Sequence, residues 1–388
     1  MAKRVAILGS TGSIGQNALQ VIEALSGEYE VAALSAHSST DLLAEQAAKF
    51  RPAVAAITCP DHTEKLKSSM NGYSGQILSG PQSLEEIASD DDVDIVLCAV
   101  VGAAGLPAVL AAARAGKVIA IANKEPLVIA GELLTREAKA SGAKLLPVDS
   151  EHSAIFQAML SGRHEDIRRI VLTASGGPFR TKSREAMSAA TVDEALDHPT
   201  WQMGPKITID SASMVNKALE VIEAHWLFDM PVDRIDVLIH PESVIHSMVE
   251  FIDGSVIAQL GTPDMKTPIQ YALTYPERRK GIARYLKLEE MGRLTFEPPD
   301  MDKFRALSLG YEVARAGGSA PVVFNAANEA AVAAFLKGRI RFGRIVELIE
   351  QCLESHKTHD CACLDELLEA DAWARRQVDD LLEPMKTI

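Results

Sequence analysis

The sequence lacks the features that indicate secretion or binding to polyanions. It has no excess of positive charge, since 39 Lys and Arg residues stand against 53 Asp and Glu residues, a formal net charge of −14. That balance argues against nucleic acid or an anionic membrane as the main partner. Five cysteines in 388 residues, an odd number, do not read as a disulfide framework and suit a reducing cytoplasm.

Long uninterrupted apolar runs are also missing. Residues 95–113 carry no charge, but Gly102, Gly105 and Pro107 divide them into a strand, a loop and a helix rather than a membrane span. Residues 5–8 are too short for the core of a signal peptide. With 47% hydrophobic and 24% charged residues, the chain is typical of a globular protein, and its length predicts two or three domains.

The N-terminal third has the pattern of a nucleotide-binding sheet. A short apolar run at residues 4–8 is followed by GSTGSIG at residues 9–15 and then by a helical pattern. Glycines at the first turn of a βαβ unit let the backbone approach a pyrophosphate, whose charge the helix N-terminus favours. The spacing is GxxGxxG rather than GxGxxG, and a tight turn without a ligand is the alternative. Strand and helix patterns alternate to residue 148, which predicts a Rossmann-like parallel sheet over residues 1–149.

The end of the second predicted strand indicates which dinucleotide is bound. NAD sites usually have an acid there, bonded to the ribose 2′-hydroxyl. Here Ala36 is followed by His37, Ser38 and Ser39, and the first acid is Asp41. Without an acid there is no repulsion toward a 2′-phosphate, and three side chains can donate hydrogen bonds to it. The sequence therefore favours NADP(H).

Two acids follow the last strand of this predicted domain. In an extended chain, side chains two residues apart share a face, so Asp149 and Glu151 would aim at one point. Two carboxylates at one point repel unless a proton or a cation lies between them. Hard cations such as Mg²⁺ or Mn²⁺ prefer oxygen ligands of this kind. A solvated acidic turn is the alternative.

Polar residues also follow the preceding strand. Asn123, Lys124 and Glu125 come directly after the apolar run at residues 117–122. Ligands of open parallel sheets bind beyond the carboxyl ends of the strands. We therefore expect Lys124 to meet a phosphate or sugar oxygen, and Asn123 and Glu125 a cofactor. A plain polar turn is the alternative.

The middle of the chain has two loops that suit a ligand. The sequence SGGPFR at residues 175–180 leaves backbone N–H groups and a hydroxyl available to an anion, unless it is only a glycine turn. The sequence HPTWQMGPK at residues 198–206 places Trp201 and Met203 in a proline-rich loop. We interpret this loop as a lid that closes over a substrate. A loop that anchors the core is the alternative.

A helix is predicted at residues 208–228, with Asp210 or Ser211 as its cap. One face of this helix carries four polar residues: Ser213, Asn216, Lys217 and Glu220. The first three suit a phosphate, and Glu220 can complete the metal site. A surface pair of Lys217 and Glu220 is the alternative.

The remaining patterns complete the expected architecture. Strand patterns and an Asp253-Gly254 hairpin signal predict a mainly antiparallel sheet, so residues 150–275 form an α+β domain. Its free face suggests a homodimer. Residues 276–300 are a linker, and residues 301–388 a helical bundle with helices at 303–316, 322–336, 342–352 and 364–382. His356, His359, Cys361 and Cys363 match no common zinc spacing, so a solvated loop is preferred there.

Six motifs in a fixed order identify a resemblance. They are GSTGSIG (9–15), NKEP (123–126), VDSEH (148–152), SGGPFR (175–180), HPTWQMGPK (198–206) and DSASMVNKALE (210–220). Together they resemble the 1-deoxy-D-xylulose 5-phosphate reductoisomerase family, and the resemblance runs through to the C-terminus. It implies a cytoplasmic enzyme of non-mevalonate isoprenoid synthesis that requires NADPH and Mg²⁺, Mn²⁺ or Co²⁺. The enzyme would convert its phosphorylated ketose to 2-C-methyl-D-erythritol 4-phosphate.

The resemblance also implies a role for individual positions. The metal ligands would be Asp149, Glu151 and Glu220, and Lys124 and His198 would join them as catalytic residues. The substrate-binding residues would be Lys124, Ser150, Glu151, Ser175, His198, Trp201, Met203, Ser211, Asn216, Lys217 and Glu220. The NADPH-binding residues would be Thr11, Gly12, Ser13, Ile14, Ala36, His37, Ser38, Asn123, Glu125 and Gly204. Residues 36–38 depart from the Gly-Lys-Asn-like stretch of many members, which leaves the contact with the 2′-phosphate open.

Two other functions fit part of the pattern. Another two-domain NADP-dependent dehydrogenase would share the N-terminal sheet, but those acting through a thioester need a cysteine that residues 150–350 lack. A nucleotide-sensing regulator could also keep this sheet, but it would not need three converging acids or a lid.

Overall fold

The computed structural model describes residues 2–25, 27–201 and 203–382. The strands are β1 (Lys3–Leu8), β2 (Tyr29–Ala36), β3 (Val54–Ile57), β4 (Gln76–Ser79), β5 (Ile95–Cys98), β6 (Val118–Ile121), β7 (Lys144–Pro147), β8 (Ile167–Ala174), β9 (Ile235–Ile239), β10 (Ile245–Phe251) and β11 (Val256–Leu260). The helices are α1 (Ser13–Ala24), α2 (Thr40–Phe50), α3 (Thr63–Ser69), α4 (Ser83–Ser89), α5 (Leu106–Arg114), α6 (Glu125–Ser141), α7 (Ser150–Met159), α8 (Arg184–Ser188), α9 (Val192–Leu196), α10 (Pro205–Ser213), α11 (Val215–Leu227), α12 (Lys266–Thr274), α13 (Leu288–Met291), α14 (Arg305–Ala316), α15 (Ala320–Leu336), α16 (Arg344–Ser355) and α17 (Leu364–Leu382).

Contacts divide the described residues into two compact units. Unit 1 comprises those of Met1–Pro126, Leu134–Ser153 and Asp264–Arg284, and unit 2 those of Leu127–Leu133, Ala154–Pro263 and Tyr285–Ile388. The predicted functional domains at residues 1–149, 150–275 and 301–388, with their linker, stay predictions. The clearest difference concerns α12, which the sequence placed with the middle domain but which packs on α1 in unit 1. Its buried face includes Ile269, Ala272 and Leu273, so α12 is part of the unit 1 core although it lies far from α1 in sequence.

Unit 1 is built around a seven-stranded parallel sheet. The strand order is β4-β3-β2-β1-β5-β6-β7, and every pair of neighbours is parallel. The central strands β1 and β5 are buried along their apolar runs, as expected for a sheet covered on both faces. All carboxyl ends lie at one edge, where the predicted ligand-binding turns follow β1, β6 and β7. The predicted Rossmann-like fold is confirmed.

Unit 2 contains a second sheet and most of the remaining helices. The sheet order is β11-β10-β8-β9, antiparallel except for the pair β8 and β9, so the mainly antiparallel prediction is confirmed. Helix α15 is buried along nearly its whole length and packs against α16 and α17. Helix α14 packs on α11. The predicted C-terminal helical region is thus present, and α17 has the predicted bounds.

The histidine and cysteine cluster between α16 and α17 is a loop, as predicted. His356 Nε2 and His359 Nδ1 lie 2.7 and 3.3 Å from the Ser319 hydroxyl, which ties the loop to the start of α15. Among the described residues, no group that could hold a metal includes these histidines or cysteines.

The described helices include no candidate for a membrane span. None of them combines the length and the apolar character that crossing a bilayer requires.

A close contact between two helices of unit 2 gives a test of the packing. A Cβ added at Gly310 on α14 would lie 2.5 Å from the Ala218 Cβ on α11. Such overpacking typically costs about 1–3 kcal/mol, which exceeds the roughly 1 kcal/mol that alanine gains over glycine in a helix. We expect Gly310→Ala to lower the melting temperature in calorimetry. Ser308→Ala on the same helix is the control, and a Gly310→Ala variant as stable as this control would contradict the packing.

Candidate active site

The glycine turn after β1 has the geometry of a phosphate-binding turn. Helix α1 begins at Ser13, with Gly12 as its N-cap, and both residues are exposed. A Cβ at Gly15 would lie 2.4 Å from the Gly9 carbonyl oxygen and 2.5 Å from the Ser10 Cα. Only glycine therefore allows this close approach of turn and helix. The exposed N-terminal N–H groups of α1 are suited to an anion.

The end of β2 offers donors and no unpaired acid. Ala36 is the last residue of β2, and the exposed His37 Nδ1 lies 2.9 Å from the Thr58 hydroxyl. Ser38 is exposed beside it. Asp41, the first acid, lies in the first turn of α2 and pairs with Lys65 at 2.8 Å. The local charge therefore does not oppose a 2′-phosphate.

The turn after β6 contains an unsatisfied amide. The side-chain nitrogen and oxygen of Asn123 are both buried and have no hydrogen-bond partner in the described part of the chain. Orphaned polar atoms of this kind are costly unless a ligand or water bonds to them. This amide lies at the sheet edge where a dinucleotide is expected, so it fits a bound cofactor. Glu125 follows as the buried first residue of α6.

The two acids after β7 lie close together, but not as the sequence predicted. Helix α7 begins at Ser150, so Glu151 lies in a first helical turn and not in an extended chain. The alternation argument was wrong because the strand ends at Pro147. One carboxylate oxygen of Asp149 still lies within 4.8 Å of one of Glu151. This separation fits two ligands of one cation.

Neighbouring side chains hold both acids. Lys124 Nζ lies 2.6 Å from Asp149 Oδ2, with both side chains largely buried. The Ser150 hydroxyl donates to Glu151 Oε2 at 2.6 Å. The predicted residues Lys124, Asp149, Ser150 and Glu151 are therefore brought together in unit 1.

In unit 2, His198 joins the two predicted serines. Its Nε2 lies 3.2 Å from the Ser175 hydroxyl and 3.1 Å from the Ser211 hydroxyl. Its Nδ1 accepts the backbone N–H groups of Thr200 at 3.2 Å and Trp201 at 3.0 Å. Since Nδ1 accepts, the proton is on Nε2, which donates to the serines. Both hydroxyls therefore act as acceptors toward His198, and their own protons remain available to an anion.

The loop after β8 carries Ser175 in a sharp turn. Gly176 and Gly177 have φ values of +84° and +66°, in the region that favours glycine. A Cβ at Gly177 would also lie 2.8 Å from the Ser211 carbonyl oxygen. The turn thus brings the loop after β8 against α10, and Ser175 and Ser211 together.

The predicted lid begins at His198. Trp201 and Met203 are half-buried, and the Trp201 ring lies 6.4 Å from that of His246. Gln202 lies outside the described residues. The lid ends earlier than predicted, because Gly204 is the N-cap of α10 and Pro205 its first residue.

Burial sets the charge of His198. Desolvation lowers the pKa of this imidazole below its ordinary value. The folded protein therefore favours the neutral ring, and the associated stability is present above about pH 6.5 and is lost as the pH falls through the lowered pKa. We expect the His198 resonance in an NMR titration to have a midpoint below that of a free histidine, with His198→Gln identifying the signal. A midpoint at or above the free value would contradict the neutral tautomer.

The predicted helix at residues 208–228 is two helices. The chain breaks at Met214, whose φ of +63° ends α10 and starts α11. Asp210 and Ser211 therefore lie inside α10 and are not caps, and Ser213 does not share a face with Glu220. The Ser213 hydroxyl donates to the Ile209 carbonyl at 3.0 Å. Those predictions were wrong because neither glycine nor proline marks the break.

Asn216, Lys217 and Glu220 form one cluster on α11. Lys217 and Glu220 are 3% and 0% exposed, which excludes the alternative of a surface pair. Asn216 Nδ2 donates to Glu220 Oε1 at 2.5 Å, and Lys217 Nζ pairs with Glu220 Oε2. Lys217 Nζ also donates to the Thr173 carbonyl. This cluster places an ammonium and an amide beside a carboxylate, with the two charged groups buried.

Two further residues support the site through contacts that the sequence does not predict. Lys303 Nζ donates to the carbonyls of Phe179, Arg180 and Lys182 at 2.6, 3.0 and 2.5 Å, and so braces the loop that carries Ser175. Asn328 Nδ2 donates to Asp210 Oδ1 at 2.9 Å, next to Ser211. Both contacts span more than a hundred residues, so no local pattern could have identified them.

Three family models match the chain. The model described as 1-deoxy-D-xylulose 5-phosphate reductoisomerase matches residues 5–131. The model of that family's C-terminal domain matches residues 145–228, and the model described as DXP reductoisomerase C-terminal domain matches residues 260–377. The matches cover both units.

Individual proteins are similar over the whole chain. A 1-deoxy-D-xylulose 5-phosphate reductoisomerase of Chloroherpeton thalassium is 51% identical over 386 residues, 100% of each chain. That of Pelodictyon phaeoclathratiforme is 51% identical over 373 residues, 96% of this chain and 98% of the relative. A solved reductoisomerase from Zymomonas mobilis in complex with NADPH is 43% identical with a TM-score of 0.93, covering 99% of this chain and 100% of that one. Another, in complex with NADPH, fosmidomycin and magnesium, is 44% identical with a TM-score of 0.94, covering 99% of both.

Proposed function

The chain belongs to the 1-deoxy-D-xylulose 5-phosphate reductoisomerase family, and from this premise we propose that it carries out the family reaction. It converts 1-deoxy-D-xylulose 5-phosphate to 2-C-methyl-D-erythritol 4-phosphate, a step of non-mevalonate isoprenoid synthesis. NADPH is the reductant, and Mg²⁺, Mn²⁺ or Co²⁺ is the metal. The observation that carries the proposal is the pair of acids after β7, whose carboxylate oxygens are close enough to share a cation.

The metal ligands in this proposal are Asp149, Glu151 and Glu220. All three offer carboxylate oxygens, the ligands that hard divalent cations prefer. A bound divalent metal would supply Lewis acidity to the ketose substrate, and bound NADPH would supply the hydride for the reduction. Lys124, paired with Asp149 at 2.6 Å, contacts the substrate beside these acids. Ser150 binds substrate and orients Glu151 through their 2.6 Å hydrogen bond.

The phosphate group of the substrate is assigned to unit 2. Ser175 and Ser211 donate their hydroxyl protons to it, because both accept from His198. Asn216 and Lys217 add an amide and an ammonium. A phosphate held away from the reacting carbons supplies binding energy that orients them. Closure of the lid, with Trp201 and Met203, keeps water from the intermediate.

The cofactor-binding residues are those that the resemblance implies. Thr11, Gly12, Ser13 and Ile14 hold the pyrophosphate at the N-terminus of α1, and Ala36, His37 and Ser38 face the 2′-phosphate. Asn123, Glu125 and Gly204 complete the set. The buried, unpaired amide of Asn123 supports this assignment, because a bound nicotinamide or ribose would satisfy it.

We further propose a cytoplasmic homodimer. Ile252, Val256 and Leu260, on the edge strand β11 or the turn before it, are 68%, 52% and 37% exposed, which a partner subunit would cover. The five cysteines are free, as a reducing compartment requires. We expect light scattering to give the mass of two chains. The mass of one chain would remove the dimer.

One assay tests the reaction. We expect loss of NADPH absorbance only when 1-deoxy-D-xylulose 5-phosphate and a divalent metal are both present. A chelator should stop the reaction, and added Mg²⁺ or Mn²⁺ should restore it. NADPH oxidation that survives chelation would refute the metal site, and oxidation with other aldehydes alone would indicate a different dehydrogenase.

A further inference from the structure

Both oxygens of one proposed metal ligand are held by the residues proposed to bind the phosphate. Glu220 Oε1 accepts from Asn216 Nδ2 at 2.5 Å, and Glu220 Oε2 pairs with Lys217 Nζ. The three residues belong to one helix of unit 2, so their contacts are set by helical spacing. With neither ligand bound, the anion site and the cation site therefore neutralise each other.

Burial makes this pairing consequential. Lys217 is 3% exposed and Glu220 is fully buried. A buried charge whose partner is removed is strongly destabilised, because water cannot replace the partner. A metal that takes Glu220 away removes the carboxylate paired with Lys217 Nζ, and the hydrogen bond from Lys217 to the neutral Thr173 carbonyl does not replace that negative charge. A phosphate that takes Lys217 away deprives Glu220 of its ammonium in the same manner.

We propose that the Asn216–Lys217–Glu220 cluster couples metal binding to phosphate binding by exchanging ion pairs. The idea rests on the proposed function, which assigns the two ligands. Either ligand alone breaks the ion pair between Lys217 and Glu220 and gives a new partner to only one of these two residues. Together they replace both, since the cation pairs with Glu220 and the phosphate with Lys217 and Asn216. Each ligand therefore tightens the binding of the other, and linkage requires the two effects to be equal.

Unit 1 contains a pair of the same kind. Lys124 Nζ lies 2.6 Å from Asp149 Oδ2, so a second proposed metal ligand is also paired with a proposed substrate-binding lysine. Metal binding there releases an ammonium for the substrate. Pairing of a proposed metal ligand with a proposed substrate-binding lysine therefore occurs twice among the proposed site residues.

Calorimetry on the full-length protein tests the coupling. Mn²⁺ is titrated with and without saturating inorganic phosphate, and a blank titration of Mn²⁺ into phosphate corrects for complexes in solution. We expect phosphate to lower the Mn²⁺ dissociation constant about tenfold, within the usual range of coupling between two sites. We expect Mn²⁺ to lower the phosphate dissociation constant by the same factor.

Variants separate coupling from simple binding. In Lys217→Gln, Mn²⁺ should bind the phosphate-free protein more tightly than it binds wild type, and phosphate should have no effect. In Glu220→Gln, phosphate alone should bind more tightly than it binds wild type. Ser211→Ala is the matched control, because it weakens phosphate binding but leaves the ion pair, so saturating phosphate should still tighten Mn²⁺ binding. Asn216→Ala keeps both charges, and we expect a reduced coupling.

The outcomes distinguish a failure of the proposed coupling from a failure of the proposed function. If Mn²⁺ does not bind wild-type protein, the proposed metal site is wrong and the coupling with it. If Mn²⁺ and phosphate both bind but neither changes the affinity of the other, the proposed sites stand and the coupling is overturned. Coupling that persists unchanged in Lys217→Gln would also overturn it.

Discussion

Glu220→Gln is expected to lower turnover by about a thousandfold or more, while NADPH affinity changes little. Glutamine has nearly the shape of glutamate and can still accept the hydrogen bond from Asn216 at Oε1. It offers no charge to a divalent cation, whose Lewis acidity is worth several kcal/mol in the transition state. Each 1.4 kcal/mol is a factor of ten in rate, which sets the expected loss. Glu220 is not among the residues assigned to NADPH, and all of those except Gly204 lie in unit 1, so cofactor binding should survive.

The measurement pairs steady-state turnover over a range of Mn²⁺ concentrations with NADPH binding followed by fluorescence. Glu220→Asp is the control, because it keeps the charge but shortens the side chain, and we expect it to need more metal and to keep part of the activity. Near-normal NADPH oxidation by Glu220→Gln at low metal would show that Glu220 is not a ligand. Loss of NADPH binding would show instead that the variant damages the fold.

The sequence predicted the sheets and helices of the fold better than it predicted the position where a helix breaks. Apolar periodicity was sufficient for the parallel sheet and for α17, because burial dictates both patterns. It missed the break at Met214, a residue that rarely adopts positive φ and does so here with its side chain 2% exposed in the core. Tertiary packing stabilises that conformation, and no neighbouring residue type predicts it. The docking of α12 on α1 was missed for the same reason, since residues far apart in sequence make the contact.

For the candidate site, sequence reasoning supplied residue types and left geometry undetermined. It placed Asp149 and Glu151 at one point by an alternation argument that fails, because α7 begins at Ser150. It grouped Lys217 with Glu220 but could not tell a surface pair from a buried one. It assigned His198 to substrate without the tautomer, which depends on two backbone N–H groups at Nδ1. Such details depend on where the chain turns, and spacing does not encode them.

Lys217→Ala should raise the substrate KM by about a hundredfold, a large effect from one side chain. A hydrogen bond to a charged group contributes about 1.5–3 kcal/mol, and truncating one partner of a buried ion pair costs about 3–5 kcal/mol. The first range alone corresponds to a loss of affinity between about tenfold and more than a hundredfold. The effect on kcat should be smaller, because a phosphate contact distant from the reacting carbons is made in both ground and transition states.

A control variant separates a direct contact between Lys217 and the phosphate from a general effect of positive charge near the site. Lys182 lies near the loop that carries Ser175, but its side chain is exposed. Surface charges contribute little and are screened by salt, so we expect Lys182→Ala to leave KM within about twofold. Inorganic phosphate should inhibit wild type and Lys182→Ala alike, and Lys217→Ala much less. Equal inhibition of wild type and Lys217→Ala by phosphate would exclude Lys217 as a phosphate contact, and the buried pair with Glu220 would then serve stability alone.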